Sequence, residues 1–355
     1  MQITSFSRSK YRDFDALGDD ITLLLPGLYG VFDGATDPTK TIIDGITSGR
    51  FAAVTCAQSV CQLWSEKKLS PTDELLHQVN AELEKALLVK IAEGQLRAEG
   101  KPPSTTMALA LEIGEEIGFF LIGDSGVRIN GQEEIVLRKQ IDTVSTQARN
   151  SVYRMLRDRG LSGDELEYQT RQLIYYGLDK AVQEDVLQNS EVERILEQTR
   201  KTFGVAASEG VRFLQQGVVS QHRFANHGDL PLGYASLNGK PLSGEGMLCF
   251  SRPRSAVQSI ELFTDGYFSL PSEIDLASWE AEFARVEEVD SRKIDRFPAI
   301  KGSTSSEFSD ASSAGASSTA GASSAAGASS AGASSAGASS AGVSSAAGAS
   351  SAVGA

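Results

Sequence analysis

The chain has 355 residues, with 33 Lys and Arg against 46 Asp and Glu and a formal net charge of −13. That length allows two average domains or one large one, and the acidic balance excludes the clustered basic face that nucleic-acid phosphates require. Its three cysteines, Cys56, Cys61 and Cys249, form no Cys-x-x-Cys pair, which argues against a disulfide framework or a thiolate zinc site.

The opening residues carry no apolar signal region, and no apolar run reaches the ~18 residues of a membrane span. A soluble cytoplasmic protein with no membrane partner is therefore expected. Ile21–Leu25, followed by Pro-Gly, and Leu28–Phe32, followed by Asp-Gly, read as buried strands bounded by turn residues. After a polar loop, a helix is predicted from Ser48 to Glu66, with Ala53, Ala57, Val60 and Trp64 on one face. A second helix starts near Ser70, with Pro71 at its first position and Asp73 placed to cap it; its stripe is Leu76, Val79, Leu83 and Leu87.

Strands return at Thr105–Ile113 and Ile117–Ile122, joined by a Gly-Glu-Glu-Ile-Gly hairpin loop. Thr143 to Phe203 is charged and helical in character, which suggests an inserted helical subdomain. Strands and turns are expected again from Val211 to Phe268, then a helix from Leu276 to Val289. Residues 311–355 contain only Ala, Ser, Gly, Thr and Val, and repeat Ala-Gly-Ala-Ser-Ser with small variations. Such a tail has too little apolar surface to offset its ordering entropy and is expected to be disordered.

Three apolar strands run into short acidic signatures: Val31-Phe32-Asp33-Gly34, Gly123-Asp124-Ser125 and Thr264-Asp265-Gly266. A carboxylate at the mouth of a strand is rigidly held, and a neighbouring glycine lets a ligand approach the backbone. Aspartates gathered at one sheet edge would repel unless a cation neutralised them, and their hard oxygens select Mg²⁺ or Mn²⁺. Two such ions can share a water, lower its pKa and aim hydroxide at phosphorus. Asp-Gly after an apolar run is equally a hairpin signal, so any one of these motifs also reads as a plain turn.

The ordered set resembles the metal-dependent protein phosphatase family, the type 2C Ser/Thr phosphatases, over most of residues 5–310. The matching motifs are Asp13-Phe14-Asp15-Ala16, Val31–Gly34, Ser104–Thr106, Gly123–Ser125, Thr264–Gly266, and Lys301-Gly302-Ser303-Thr304 leading to Asp310. The resemblance implies an α/β (α+β) layered fold, a β-sandwich of two antiparallel sheets flanked by helices. The phosphatase domain would span 1–310, with 143–203 as its helical insertion. It implies two Mn²⁺ or Mg²⁺ ions, with a third bound more weakly. Asp33 would bridge two ions, the Gly34 carbonyl would bind one of them, and Asp265 and Asp310 would complete the second. Asp15 would hold metal-bound waters, and Asp124 the further ion. Asp33 and Asp265 would be the catalytic pair, with Lys10 or Arg12 gripping phosphate. The implied reaction is hydrolysis of phosphoserine or phosphothreonine by a metal-bound water, on a phosphoprotein or a small phosphorylated substrate.

The chain departs from the family pattern in three places. Ala35 stands where the family carries the histidine proposed to protonate the leaving group. Of the three histidines, His77 reads as structural, and His227 is placed on a loop that can reach the site. The phosphate-gripping cation is shifted, with Lys10 at the commoner spacing from Asp15 and Arg12 nearer. After Asp310 the sequence passes directly into Ala-Ser-Ser-Ala-Gly, so the closing core strand is expected to be missing and Asp310 to be frayed. Two alternatives follow: a small-molecule phosphatase of the same fold, or a pseudophosphatase that keeps the fold as a binding module.

Overall fold

The apolar runs bounded by turn residues become strands in the computed structural model of the chain, which describes residues 3–12, 17–37 and 39–309 and the backbone of 312–315. A short strand β1 (Ser5–Arg8) precedes a hairpin of β2 (Ile21–Leu25) and β3 (Leu28–Gly34). Proline presets the first position of its Pro26-Gly27 turn, and Gly27, at φ +77°, takes the left-handed second position. The small hairpin β4 (Ile42–Ile43) and β5 (Ile46–Thr47) turns at Asp44-Gly45, both with positive φ. That is where an Asp-Gly hairpin signal is used. Asp33-Gly34 and Asp265-Gly266 do not join paired strands.

Helices α1 (Ser48–Ser65) and α2 (Glu74–Ala92) follow. The Thr47 side chain caps α1 by accepting from Arg50 N. Asp73 does occupy the capping position of α2, but its backbone is already helical and its side chain makes no capping bond. Next come β6 (Thr105–Ile113) and β7 (Glu116–Ile122), whose turn is only Gly114-Glu115, tighter than the expected loop. Strands β8 (Gly126–Ile129) and β9 (Glu133–Val136) lead into α3 (Gln140–Asp158), α4 (Gly163–Tyr176), α5 (Leu178–Gln183), α6 (Asn189–Phe203) and α7 (Ala207–Gln216). The chain closes with β10 (Met247–Pro253), β11 (Ile260–Phe263), α8 (Leu276–Asp290) and β12 (Ser312–Gly315).

Two five-stranded antiparallel sheets form, in the orders β1-β12-β11-β8-β9 and β10-β7-β6-β3-β2. Alternation of side chains divides the second sheet's residues between two cores. Tyr29, Val31, Ala108, Ala110, Phe119 and Leu121 face the first sheet's Val127, Ile129, Ile260 and Leu262. Phe32, Met107, Leu109, Leu111, Phe120 and Ile122 point the other way, onto the apolar faces of α1 and α2. Both faces are buried, which is why β3, β6 and β7 read as continuous apolar runs. Full burial of each large side chain contributes roughly 1.5–3 kcal/mol. The first sheet's outer face is covered by α8: Trp279 packs with Phe263 and donates to Glu261, which is itself paired with Arg128 across the β8–β11 ladder.

Two sequence expectations are corrected. The closing strand is present: β12 begins two residues after Asp310 and lies between β1 and β11. Its Ser-Ser-Ala-Gly backbone forms ladders on both sides, a role that needs no apolar side chain. Residues 211–223, expected as strands and turns, are helical, ending α7 and adding the 3₁₀ turn Val218–Arg223. Gly210 and Gly217 give that stretch the look of turns. Gly217, at φ +80°, does stop the helix, whereas Gly210 lies inside it, where a Cβ would press on Thr199.

The helices between 140 and 223 bury a core of their own, including Ile141, Val144, Val152, Leu173, Leu196 and Phe213. Arg149 fastens them to the segment after α8. Its guanidinium donates to the carbonyls of Arg292, Lys293 and Ala299 and pairs with Glu167 at 2.6 Å, both side chains fully buried. Glu167 also accepts from Gly302 N.

Candidate active site

The end of β3 is fixed from two sides. Asp33 lies opposite Thr106 and Gly34 opposite Thr105, and the Thr105 hydroxyl donates to the Asp33 carbonyl at 2.7 Å. The backbone of Gly49, at the start of α1, presses on Gly34 so closely that a Cβ there would lie 2.5 Å from the Gly49 carbonyl carbon. The Thr106 and Ser125 hydroxyls share a buried hydrogen bond of 2.6 Å, which ties β6 to the Gly123-Asp124-Ser125 turn. Gly123 adopts φ +80° against the Thr106 side chain, where a Cβ would clash at 2.5 Å. The Ser-Thr-Thr and Gly-Asp-Ser motifs thus act through their hydroxyls and glycine to hold the aspartates in place. On the third strand, the Thr264 hydroxyl donates to buried Asp20 at 2.8 Å.

These elements bring Asp33, Gly34, Asp124 and Asp265 to one cavity of about 140 Å³. The lysines Lys101, Lys139 and Lys301 line it too. A larger cleft of about 860 Å³ adjoins it, sharing Asp124, Lys139, Asp142, Asp265 and Lys301. Residues from the sandwich, the helical region and the segment after α8 therefore meet at the same place.

The helical side supplies a partly buried charge cluster. Lys139 pairs with Asp124 at 2.8 Å and lies 3.6 Å from Asp142, with its ammonium over the Tyr234 ring. Burial alone would lower the Lys139 pKa, but the charges of Asp124 and Asp142 outweigh it and hold it well above the ordinary lysine value. Burial raises Asp142, which accepts from Gln221. In the loop before β6, Lys101 donates to the Thr36 carbonyl at 2.6 Å. Burial pushes its pKa down to about 8; Lys10 and Lys139 add to that, and Asp37 and Asp19 oppose it.

The remaining sequence-predicted residues are placed as follows. Lys10 is buried beneath the cavity wall, paired with Asp19 at 2.6 Å and donating to the Thr36 hydroxyl at 3.2 Å. Arg12 does not line the cavity; it donates to the Thr304 carbonyl and stacks over Phe308. Asp15 and Asp310 lie outside the described residues. His227 is half exposed near Asp229 and is not part of the cavity wall, whereas His222, with its ring against the Val219 carbonyl, is. Lys101 and Lys139 went unread in the sequence because each is a single cation in a loop or at a helix start, with no motif around it. Among the described residues, no three acidic, histidine or cysteine side chains lie close enough together to hold a metal ion.

No protein-family model matches the chain, and no curated protein does. Among solved structures it is similar to the serine/threonine phosphatase Stp1 from Staphylococcus aureus, with 11% identity, TM-score 0.42, and 90% of this chain and 96% of that one covered. It is also similar to the Mycobacterium tuberculosis serine/threonine phosphatase PstP/Ppp, at 15% identity and TM-score 0.41, covering 90% and 98%. A structure of the PstP catalytic domain with 2 manganese ions matches at 14% identity and TM-score 0.39, covering 89% and 97%.

Proposed function

We propose that this chain is a Mn²⁺- or Mg²⁺-dependent phosphatase acting on phosphoserine and phosphothreonine. The observation that carries the reading is the convergence of Asp33, Gly34, Asp124 and Asp265, from three separate strand ends, on one cavity. Had the Asp-Gly motifs been hairpin turns, nothing would require them to meet.

The donor chemistry fits a hard cation: aspartate oxygens and a backbone carbonyl, with no thiolate at the cavity. In this reading Asp33, the Gly34 carbonyl and Asp265 hold the ions together with Asp15 and Asp310, which lie outside the described residues. Asp124 already has the Lys139 ammonium as its counter-charge, so the reading gives it no ion of its own. When bound, such ions supply positive charge at phosphorus and a more acidic water. The protein's own contribution is position and charge. Lys101, Lys139 and Lys301 present cations to a dianionic phosphate, and Thr105, Thr106 and Ser125 keep the strand ends from shifting. The adjoining cleft has room for the polypeptide on either side of a phosphorylated residue.

The expected behaviour is Mn²⁺-dependent hydrolysis of an aryl phosphate and of a phosphoserine peptide. Asp33→Ala should lose it by at least about 10³-fold, beyond the ~10–100-fold typical of residues that only support a metal ligand. Undiminished turnover in that variant would remove the assignment. A second reading, a folded binding module without turnover, draws on the Lys139–Asp124 pair, where an ammonium fills the role of a cation. Under that reading the wild-type protein shows no metal-dependent hydrolysis of either ester.

A further inference from the structure

A phosphate monoester of serine has a poor leaving group, and Ala35 can donate no side-chain proton to it. The loop before β6 brings a substitute to the same spot. Ser104 accepts from Ala35 N at 3.0 Å, which clips the loop across the Ala35–Thr36 segment. Lys101, three residues earlier, reaches back over that segment to the Thr36 carbonyl and forms part of the cavity wall beside Asp33 and Ala35. Lys139 is bound to Asp124 and Asp142, which hold its proton tightly, and Lys10 is paired with Asp19. Among the described residues, the hydrogen-bond acceptor of Lys101 is the neutral Thr36 carbonyl.

We propose that Lys101 is a further catalytic residue of this site: its ammonium, anchored on Thr36, protonates the ester oxygen as it leaves phosphorus. The inference rests on the phosphatase reading above. As the water oxygen bonds to phosphorus, the bond from phosphorus to the ester oxygen breaks and its electron pair stays on that oxygen. The oxygen takes a proton from Lys101 Nζ and departs as the alcohol. Lys101, left as a neutral amine, regains a proton from solvent, and the water's own proton leaves with inorganic phosphate or to solvent.

An ordinary lysine is too weak an acid for this task, because proton transfer is most effective when the donor titrates near the working pH. Burial, with Lys10 and Lys139 nearby, brings Lys101 down to about 8, against the opposing carboxylates Asp37 and Asp19. Asp37 is firmly anionic: burial would raise it, but hydrogen bonds from Thr41 and Thr39 hold it below the usual carboxylate range. His222, the imidazole on the same cavity, is pushed below its ordinary range by burial and stands neutral at pH 7. The donor form of Lys101 predominates below about pH 8 and is lost as the pH rises through that value.

The test compares esters that differ in leaving group. With Mn²⁺ present, Lys101→Met should lower kcat on a phosphoserine peptide by about 10²-fold more than it lowers kcat on p-nitrophenyl phosphate, whose leaving group needs no proton. Lys101→Arg, which keeps the charge but does not give up a proton, should not restore peptide turnover. Equal losses on both esters, no loss on either, or rescue by arginine would overturn the proposal. Wild-type protein inactive on both esters would remove the phosphatase reading, and the proposal with it. A readout independent of turnover uses the wild-type chain alone. Competitive acetylation with acetic anhydride across pH should show Lys101 reaching half-reactivity near pH 8; half-reactivity in the ordinary lysine range contradicts the proposal.

Discussion

The sandwich and the helical region 140–223 solve the same problem in opposite ways. The sandwich buries both faces of its central strands, so its interior follows a period of two and its ends are pinned by backbone ladders on each side. The helical region buries one stripe per helix around a separate core, and Arg149 with Glu167 is its buried ionic fastening to the segment after α8. The difference shows in what each gives the site. Strand ends contribute Asp33, whose backbone is held in the β3–β6 ladder, and Asp124 and Asp265, each two residues beyond the end of a paired strand. Helices contribute Lys139 and Asp142 on side chains whose placement depends on how the helical core sits.

The largest expected effect follows from that fastening. Glu167→Ala leaves Arg149 buried without its partner, a change that typically costs 3–5 kcal/mol. If the two regions are as separate as their cores, hydrogen exchange should show protection lost over residues 140–223 while β3, β6 and β7 keep theirs. Uniform loss across both regions would show that they unfold as one body.

Much of the sandwich was legible because apolar runs bounded by Pro-Gly, Gly-Glu and Asp-Gly leave few alternatives. Strand β8 carries Arg128, which breaks its apolar run until Glu261, far away in sequence, is placed opposite it. Strand β12 is Ser-Ser-Ala-Gly, where nothing in the side chains calls for a strand and only the open edges of β1 and β11 do. The motifs single out Asp33, Asp124 and Asp265 in the sequence, and all three line one cavity. The lysines are not singled out, because a lone cation acquires meaning only from the groups folding sets around it. Arg12 shows the converse: the family resemblance implied a phosphate grip for Lys10 or Arg12, and in the fold Arg12 donates to the Thr304 carbonyl, stacks over Phe308 and lies 3.7 Å from Glu287.

A smaller effect tests the helical contribution to the site. Lys139→Met removes the ammonium between Asp124 and Asp142, leaving two carboxylates on the cavity with no cation between them. Calorimetry should then detect a further, weak Mn²⁺ ion that the wild-type chain does not bind. An unchanged binding isotherm would mean that Lys139 is not standing in for a cation at Asp124.

The most direct measurement of the central claim is Mn²⁺ binding by the full chain, compared with its Asp33→Asn variant. Asparagine keeps the shape and the β3–β6 ladder while removing the charge. The account predicts saturable Mn²⁺ binding by the wild-type chain, lost in Asp33→Asn while its thermal unfolding stays near that of the wild type. Equal binding by both proteins, or none by either at millimolar Mn²⁺, would contradict it.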